Sequence, residues 1–395
     1  MVMKILKKTM PILSAVLLFI GCSKDAGQGT VPDGPGIEDG KIELSFGLAI
    51  PKFPSALSLP AAGLTEEQEN AVNNVWVLQF DASGNLVLNE YYDTFTVVST
   101  TEKKVSVALF KYAASTVYFV ANVGSELLKS LQPLTLSAFE SRTLDFTDWA
   151  STVKTNGLPM VGVYSGSTME APTESIKLIR MVSRIEFTCT VDLTSKEIDL
   201  GGGKVLPADQ LSLSRVQITN ASSNVRYKAH TLTKSGDLMV CPVFPANATA
   251  GDLADNYRHY DEDTSIAAQK TFTLVWYLPE NLKGAVAGLT ETTKGPANAP
   301  AGSTCIEISG DYTTSRYVMN ESGVEELVTE IKDVTYCIYP GQNNTTDFNL
   351  IRNYSYKIGT TINGIDNTDT RVVVEKGIPA GEYTDGEWPE DASGE

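Results

Sequence analysis

The chain has 395 residues, of which 42% are hydrophobic, and 48 acidic against 31 basic side chains give it a formal net charge of −17. This length allows two or three domains with sizeable cores, and the apolar fraction is too high for a disordered chain. Because basic residues form no block beyond the first eight positions, the negative charge argues against nucleic acid as a partner.

Residues 1–21 are predicted to be a lipoprotein signal peptide. Three lysines among the first eight residues precede an apolar run over 12–20, which is too short to cross a hydrocarbon layer of about 30 Å. The run ends in Gly21-Cys22 and resembles a bacterial lipobox, so we expect cleavage before Cys22 and acylation of its thiol. The alternative is an ordinary secretory signal followed by a chance cysteine. Residues 22–41, rich in Gly, Pro and Asp, are expected to form a flexible tether.

The segment 42–50 predicts a half-buried β-strand. Small or polar residues occupy its odd positions, and large apolar residues occupy its even positions: Ile42, Leu44, Phe46, Leu48 and Ile50. Burying five such side chains is worth about 7–15 kcal/mol as an upper bound. This is comparable with the net stability of a domain. Removal of the strand would therefore leave a groove that requires a replacement.

Further strands are predicted along most of the remaining chain, at 75–80, 86–91, 105–110, 116–121, 176–191, 211–218, 272–278, 305–312, 334–339, 354–362 and 371–375. Helix is scarce: a capping box at 65–68 predicts one short helix, and 125–131 is predicted as another after Gly124. The residues 81–85 read as a hairpin turn.

This pattern predicts an all-β protein with two lobes. Many short strands and few helices favour sandwiches or barrels. The polar stretch 165–173 is the best candidate linker, so we expect one β-sandwich domain over 42–172 and a second over 173–376, followed by an acidic tail over 377–395.

No motif in the sequence predicts a catalytic residue, a metal site or a cofactor. The run Gly201-Gly202-Gly203-Lys204 lacks the residues of a phosphate loop and reads as a turn, and Ser165 stands one position late for a nucleophile elbow. The acidic run 261–263 matches no calcium template, and two histidines in the chain argue against histidine chemistry. A secreted hydrolase that uses paired carboxylates stays open, because among 48 acids some always lie close together.

We expect the four cysteines after Cys22 to differ in whether they are free thiols or disulfide-bonded. Cys189 alternates in phase with apolar neighbours, which favours a buried thiol over a disulfide. Cys305 and Cys337 stand out of phase with Ile306 and Ile338, so they could pair in an oxidising compartment. The state of Cys241 is left open.

The four tryptophans could build a platform for stacking sugars. Trp76 and Trp276, however, lie inside strongly apolar predicted strands, which favours a place in the core. Trp149 and Trp388 complete the set.

In their order along the chain, several segments resemble the fimbrillin family, the type V pilins of Gram-negative anaerobes. The matching segments are 75–81, 84–86, 117–124, 158–162, 179–185, 276–281, 306–310, 339–341 and 347–356. They span nearly the whole chain that remains after signal cleavage.

The resemblance implies two transthyretin-like β-sandwich domains in a non-enzymatic, structural and adhesive subunit of a cell-surface fimbria. Such a subunit is exported as a lipoprotein to the outer membrane and joins other fimbrial subunits by strand exchange, after a protease removes its first strand. A host or bacterial surface receptor is a further expected partner.

Two departures from the family pattern leave the role in the fibre open between stalk, anchor, accessory and tip subunit. Stalk subunits of the family are cut after an arginine just past the first strand, where this chain has Lys52 and no arginine before Arg142. The last strand, 371–375, is followed by the acidic tail and makes a weak-looking donor. The alternative function is an outer-membrane surface lipoprotein that binds glycans through a β-sandwich.

Overall fold

The structure, a computed structural model, describes part of the chain. The described residues are 40–50, 53, 63–131, 134–146, 156–193, 196–236, 238–244, 253–254, 270–365 and 368–375, with the backbone alone for 253–254 and 368–375. The chain divides into two units, Met1–Glu38 and Asp39–Glu395, and all described residues belong to the second. The predicted signal peptide, Cys22, Lys52 and the acidic tail lie outside them.

The predicted all-β class is confirmed, since the described residues form many strands and two short helices. The helices are α1 (Glu66–Glu69) and α2 (Leu136–Ser141). The strands are β1 (Lys41–Ala49), β2 (Val75–Phe80), β3 (Leu86–Tyr92), β4 (Thr96–Ser99), β5 (Glu102–Phe110), β6 (Ser115–Ala121), β7 (Thr143–Asp145), β8 (Met160–Gly166), β9 (Ile176–Lys177), β10 (Ile179–Arg180), β11 (Val182–Val191), β12 (Ile198–Gly201), β13 (Lys204–Leu206), β14 (Gln210–Thr219), β15 (Ala221–Ser222), β16 (Asn224–Arg226), β17 (Thr233–Ser235), β18 (Leu238–Val240), β19 (Leu253–Ala254), β20 (Thr271–Pro279), β21 (Cys305–Met319), β22 (Glu325–Ile338), β23 (Ser355–Ile362) and β24 (Thr368–Glu375).

The first part of the chain forms two facing sheets. One has the strand order β4-β5-β1-β9, and the other has the order β10-β8-β6-β2-β3. Phe46 of the first sheet packs against Phe119 of the second, with 5.1 Å between the ring centroids. The inner faces of the two sheets therefore share a core, as in a β-sandwich.

The second part contains a four-stranded sheet in the order β20-β11-β23-β24 and a three-stranded sheet in the order β14-β21-β22. Within the first of these, β11 pairs antiparallel with β20 and parallel with β23. Buried side chains from both sheets, including Ile185, Trp276, Ile306 and Ile358, join one hydrophobic cluster. The remaining pairings are two-stranded.

The single strand predicted over 176–191 is instead three strands in three different sheets. β9 pairs with β1, β10 pairs with β8, and β11 pairs with β20 and β23. The chain thus steps from one sheet to the next at Leu178 and Met181, both of which are buried. The domain boundary at 172/173 stays a prediction, and β9 and β10 lie beyond it while pairing with strands of the first part.

One predicted helix is confirmed and the other is wrong. At α1, Thr65 Oγ1 accepts a hydrogen bond from Gln68 N at 3.2 Å, and Gln68 Oε1 accepts one from Thr65 N at 2.9 Å, which completes the capping box. The segment 125–131 forms turns, with Lys129 N donating to Glu126 O at 3.3 Å, and Leu128 O accepts a hydrogen bond from Asn89 Nδ2. The helix α2, begun by Thr135, was not predicted.

Other local predictions match the structure. The turn at 81–85 connects β2 to β3, with Asp81 Oδ1 accepting from Ser83 N and Asn85 N. The glycine run 201–203 forms the tight turn between β12 and β13, with positive φ at each glycine. Trp76, Trp276 and Cys189 are buried in the core.

Candidate functional site at the first strand

The first strand, β1, lies between β5 and β9 in its sheet. It pairs antiparallel with β5 along its whole length, from Lys41↔Phe110 to Ala49↔Glu102. On its other side it pairs parallel with β9, but only through Leu48 and Ala49. One neighbour therefore supplies almost all of the backbone hydrogen bonds that hold β1.

The apolar face of β1 points into the sandwich. Leu44 is 5% exposed, Phe46 and Leu48 are 0% exposed, and Ile50 just after the strand is 4% exposed. Ile42 is half-buried and packs against the same cluster. The Phe46 ring also meets Tyr164 edge-on, with 5.8 Å between the centroids. The sequence-predicted set thus lies on one face, with its outermost member nearest to solvent.

Polar contacts border the strand at both ends. Lys41 Nζ lies 3.0 Å from Glu90 Oε1 and 5.1 Å from the centroid of the Phe110 ring. At the other end, Ile50 N donates to Thr101 O and Leu178 N donates to Ala49 O, each at 2.8 Å. These bonds fix the register of β1 at its two termini.

On the outer face of β1, the side chains of Ser175 and Glu102 lie very close to Gly47. Ser175 Oγ donates to Glu102 Oε1 at 2.6 Å directly above this residue. A Cβ at Gly47 would collide with Ser175 Oγ and Cβ. A glycine is therefore needed for this close approach, unless Ser175 moves.

The chain beyond β1 is anchored at a buried arginine. The Phe53 ring lies over the Arg180 guanidinium, which donates to Glu69 O at 3.2 Å and to Asn70 Oδ1 at 2.6 Å. Burial lowers the pKa of Arg180 to about 10, and the nearby charge of Glu69 opposes this shift.

A buried ion pair extends this cluster into the second part of the chain. Arg184 Nε lies 3.0 Å from Glu69 Oε1, and Arg184 Nη2 lies 2.9 Å from Glu186 Oε2. Burial disfavours the charge of Arg184, but Glu69, Tyr277 and Glu186 outweigh this effect and raise its pKa. The Tyr277 hydroxyl donates to Glu69 Oε1 at 2.5 Å, and burial raises the pKa of this tyrosine. Glu69 of α1 therefore connects the β1 sandwich to β11 and β20.

Sequence reasoning did not identify this buried network, although it did single out 179–185. The signal was present, because Arg180 and Arg184 interrupt an otherwise apolar strand pattern. Charged residues at such positions are rarely buried without a partner.

Two further observations concern chemistry and membranes. Across the described residues, no group of three or more His, Cys, Asp or Glu side chains is arranged to hold a metal ion. Within the same part of the chain, no helix has the length and apolar character needed to span a bilayer.

A comparison with solved structures finds several that are similar to the chain. One is a proposed cell adhesion protein from Parabacteroides distasonis, with 18% identity and a TM-score of 0.49, covering 86% of this chain and 98% of that one. Another is the tip fimbrial protein Mfa3 from Porphyromonas gingivalis, with 15% identity and a TM-score of 0.43, covering 85% and 99%. A third is a fimbrial assembly protein from Parabacteroides distasonis, with 14% identity and a TM-score of 0.43, covering 85% and 99%.

Sequence comparison matches two parts of the chain to family models. No curated protein matches the chain. Residues 276–360 match the model of a domain of unknown function (DUF4906). Residues 49–215 match the model of the major fimbrial subunit protein (FimA), and this match includes the end of β1 and its partners β5 and β9. The resemblance to fimbrillins is thereby confirmed over residues 49–215, the part of the chain that matches the model of the major fimbrial subunit protein.

Proposed function

We propose that this fimbrial subunit joins its neighbours by strand exchange at the groove that β1 occupies. The observation that carries the proposal is the placement of β1: a strand at the start of the described chain, with Leu44, Phe46 and Leu48 buried, that is held by β5 on one side and by two residues of β9 on the other. Once the chain is cut after β1, the strand is no longer linked to the body and can leave without threading the chain through a loop. Its loss exposes an apolar groove between two paired-strand edges.

The vacated groove suits a donor strand of defined chemistry. The edge of β5 offers backbone donors and acceptors along Glu102–Phe110, and the groove has space for large apolar side chains at alternate positions. A strand from a neighbouring subunit that repeats the alternation of Leu44, Phe46 and Leu48 would restore the core. Exchange of this kind builds a polymer because each subunit fills the groove of the next.

The proposal includes the processing and anchoring steps. Cleavage after Lys52 by a lysine-accepting protease would separate β1 from the body, and the new first residue would be Phe53. Before this cut, acylation at Cys22 would attach the subunit to the outer membrane, with the residues between Cys22 and β1 as a tether. The assembled fimbria would present the subunit to a host or bacterial surface receptor. The role is structural and adhesive, without catalysis.

Limited proteolysis of the purified full chain tests the proposal. Mild trypsin treatment should expose a new N-terminal Phe53, and the cut protein should form ladders that resist SDS. A chain with Lys52→Ala is the matched control, since it keeps β1 and should stay monomeric under the same treatment. A synthetic peptide with the sequence of 41–50, added in excess, should fill the groove and shorten the ladders.

The contrary result is equally clear. Mass spectrometry shows whether the cut protein has lost β1. If it has, and the cut protein is nevertheless as monomeric as the Lys52→Ala control at the same concentration, strand exchange at this groove is wrong.

The glycan-binding alternative receives no support from the described tryptophans. Trp76 and Trp276 are buried, and Trp76 Nε1 donates to Gly124 O at 2.7 Å, so neither presents a face for a sugar.

A further inference from the structure

Two cysteine thiols meet at the base of the long hairpin β21–β22. The four cysteines that the structure describes, Cys189, Cys241, Cys305 and Cys337, are all free thiols. Cys305 opens β21, and Cys337 is the last residue but one of β22. The relation between these two residues follows from the register of the hairpin.

The register places both thiols on one face of the sheet. Ile306 pairs with Ile338, and Glu307 pairs with Cys337. Successive side chains of a strand alternate between the two faces of the sheet. Ile306 and Ile338 are buried on one face, so Cys305 and Cys337 both lie on the other. The cysteines are therefore diagonal neighbours on adjacent strands, and such neighbours lie about 7–8 Å apart in a regular ladder. A disulfide joins Cα atoms about 4–7 Å apart, so its formation requires β21 and β22 to draw slightly closer at this point.

The two side chains are in contact and differ in environment. They are hydrogen-bonded to each other, and this bond lowers the pKa of Cys337. Cys305 is 3% exposed, and burial raises its pKa well above the usual range. Cys337 is half-buried and so remains within reach of small reagents. The pair thus combines a reachable thiol that ionises more readily with a buried partner.

The other two described cysteines have no such arrangement. Cys189 is fully buried in β11, and burial raises its pKa to about 12. Cys241 Sγ donates to Met239 O at 3.6 Å, and burial raises its pKa to about 12 as well. Neither is hydrogen-bonded to another cysteine in the described part of the chain, so they serve as internal controls.

We propose that Cys305 and Cys337 form an intramolecular disulfide by exchange with a small-molecule disulfide such as oxidised glutathione. The Cys337 thiolate attacks one glutathione sulfur, forming a mixed disulfide and releasing one glutathione thiolate. Cys305 then gives its proton to solvent and attacks the Cys337 sulfur, which expels the second glutathione. Two cysteine thiols are oxidised to one disulfide, and one oxidised glutathione is reduced to two glutathione thiols, so electrons and protons balance.

The bond would secure the register of an edge strand. β22 lies at the edge of its three-stranded sheet, and β14 supports β21 only as far as Thr313. Beyond that residue, the hairpin continues to Met319 and back from Glu325 as a two-stranded ladder. β13 contacts this ladder, since the Tyr317 hydroxyl donates to Val205 O and Lys204 pairs with Glu325. Two strands without a third are marginally stable in water. A covalent link at the base would prevent slippage of β22 along β21 and would constrain the unfolded chain across the whole hairpin.

Peptide mapping of the full chain tests the proposal. The purified protein is incubated with oxidised glutathione, quenched with acid, alkylated and digested without reductant. The expected product is a Cys305–Cys337 peptide pair that separates on reduction, in a protein about 2 Da lighter than the reduced chain. A chain with Cys189→Ser should give the same pair, whereas a chain with Cys337→Ser should give no linked peptide.

Circular dichroism shows whether the protein remains folded. If it is unchanged, each of three outcomes would overturn the proposal. In the first, both thiols remain alkylatable after oxidation. In the second, the reaction stops at a glutathione adduct on Cys337. In the third, Cys305 is linked to a different cysteine. None of these readouts depends on fibre assembly, so the disulfide is judged independently of strand exchange.

Discussion

The Phe53 ring stacks on the Arg180 guanidinium, with 4.1 Å between the ring centroid and Cζ. Both residues are buried. Arg180 ends β10, directly after the β9 residues that flank β1, so the contact ties the chain that follows β1 to the segment that runs beside it. Phe53 is also the residue that would become the N-terminus if β1 were cut away after Lys52.

This stacking contact should contribute measurably to stability. Replacing Phe53→Leu keeps an apolar side chain but removes the ring from a desolvated cation, and it should lower the free energy of unfolding by about 1–2 kcal/mol. Phe53→Ala also removes the packing and should cost about 3–5 kcal/mol. Urea denaturation of the full chain measures both. A Phe53→Leu variant that is as stable as wild type would show that the cation contributes nothing.

The apolar face of β1 should be energetically uneven. Phe46→Ala removes a fully buried ring that contacts Phe119 and Tyr164, so it should lower the free energy of unfolding by about 3–5 kcal/mol. Ile42→Ala, at the half-buried end, should cost clearly less. Chemical denaturation of the two variants gives the comparison, and a similar cost at both positions would contradict the burial of β1 described above.

The buried carboxylate of Glu69 should be far more sensitive than a surface one. Glu69→Ala leaves the buried Arg184 without this partner and should cost about 3–5 kcal/mol of unfolding free energy. Glu126→Ala removes an exposed pair with Lys129 and should change stability by less than about 0.5 kcal/mol. Thermal and urea unfolding of both variants would decide the matter. A small effect at Glu69 would mean that the network does not connect the two parts of the chain.

Alkaline pH should stabilise the fold through Lys294. Its ammonium donates to Asn343 O at 2.7 Å, and burial lowers the pKa of this lysine to about 8, while Asp347 opposes the shift. The ordinary value is 10.5, so between these two pH values the unfolded chain binds more protons than the folded one. The free energy of unfolding contributed by Lys294 therefore rises with pH over that window and is lowest below pH 8.

A matched variant isolates this contribution. In Lys294→Met the titrating group is absent, so wild type should gain stability relative to the variant as the pH rises from about 8 to 10. Urea denaturation at several pH values provides the difference, in which the other titrating groups cancel. A constant difference across the window would contradict a depressed pKa at this site.

The first residue of the protein recovered from cells should report its processing. Under the proposed function, membrane-bound precursor should begin at an acylated Cys22, and subunits in fibres should begin at Phe53. Cys22→Ala should release the precursor from the membrane fraction. Intact mass and N-terminal sequencing of each fraction measure both outcomes, and fibres composed of chains that begin at Cys22 would contradict removal of β1.

The elements that sequence predicted well have a local cause. The alternation over 42–50 matches β1 at Lys41–Ala49 because one face meets the core and the other does not. The helix at Thr65 was predictable because its cap is made by residues three positions apart. Where neighbouring residues decide the structure, the pattern alone was sufficient.

The elements that the sequence pattern did not predict depend on tertiary contacts. The split of 176–191 into three strands depends on which sheets lie beside it, which no local alternation reveals. The outer half of the β21–β22 hairpin was not predicted, because Thr314, Ser315 and Arg316 show no apolar alternation. The Glu69–Arg184 pair joins residues far apart in the chain, so its existence depended on the fold.

β1 pairs with β5 along its whole length but with β9 through only two residues, and this unequal pairing determines how the strand responds to tension. The hydrogen bonds to β5 run perpendicular to the strand axis, from Lys41 to Ala49. A pull on the Lys41 end along that axis loads all of these bonds in shear at once, whereas a pull that peels β1 away from β5 would break them one after another. A subunit held by the proposed tether ahead of Lys41 would thus resist drag on the cell surface through the strand whose removal we propose.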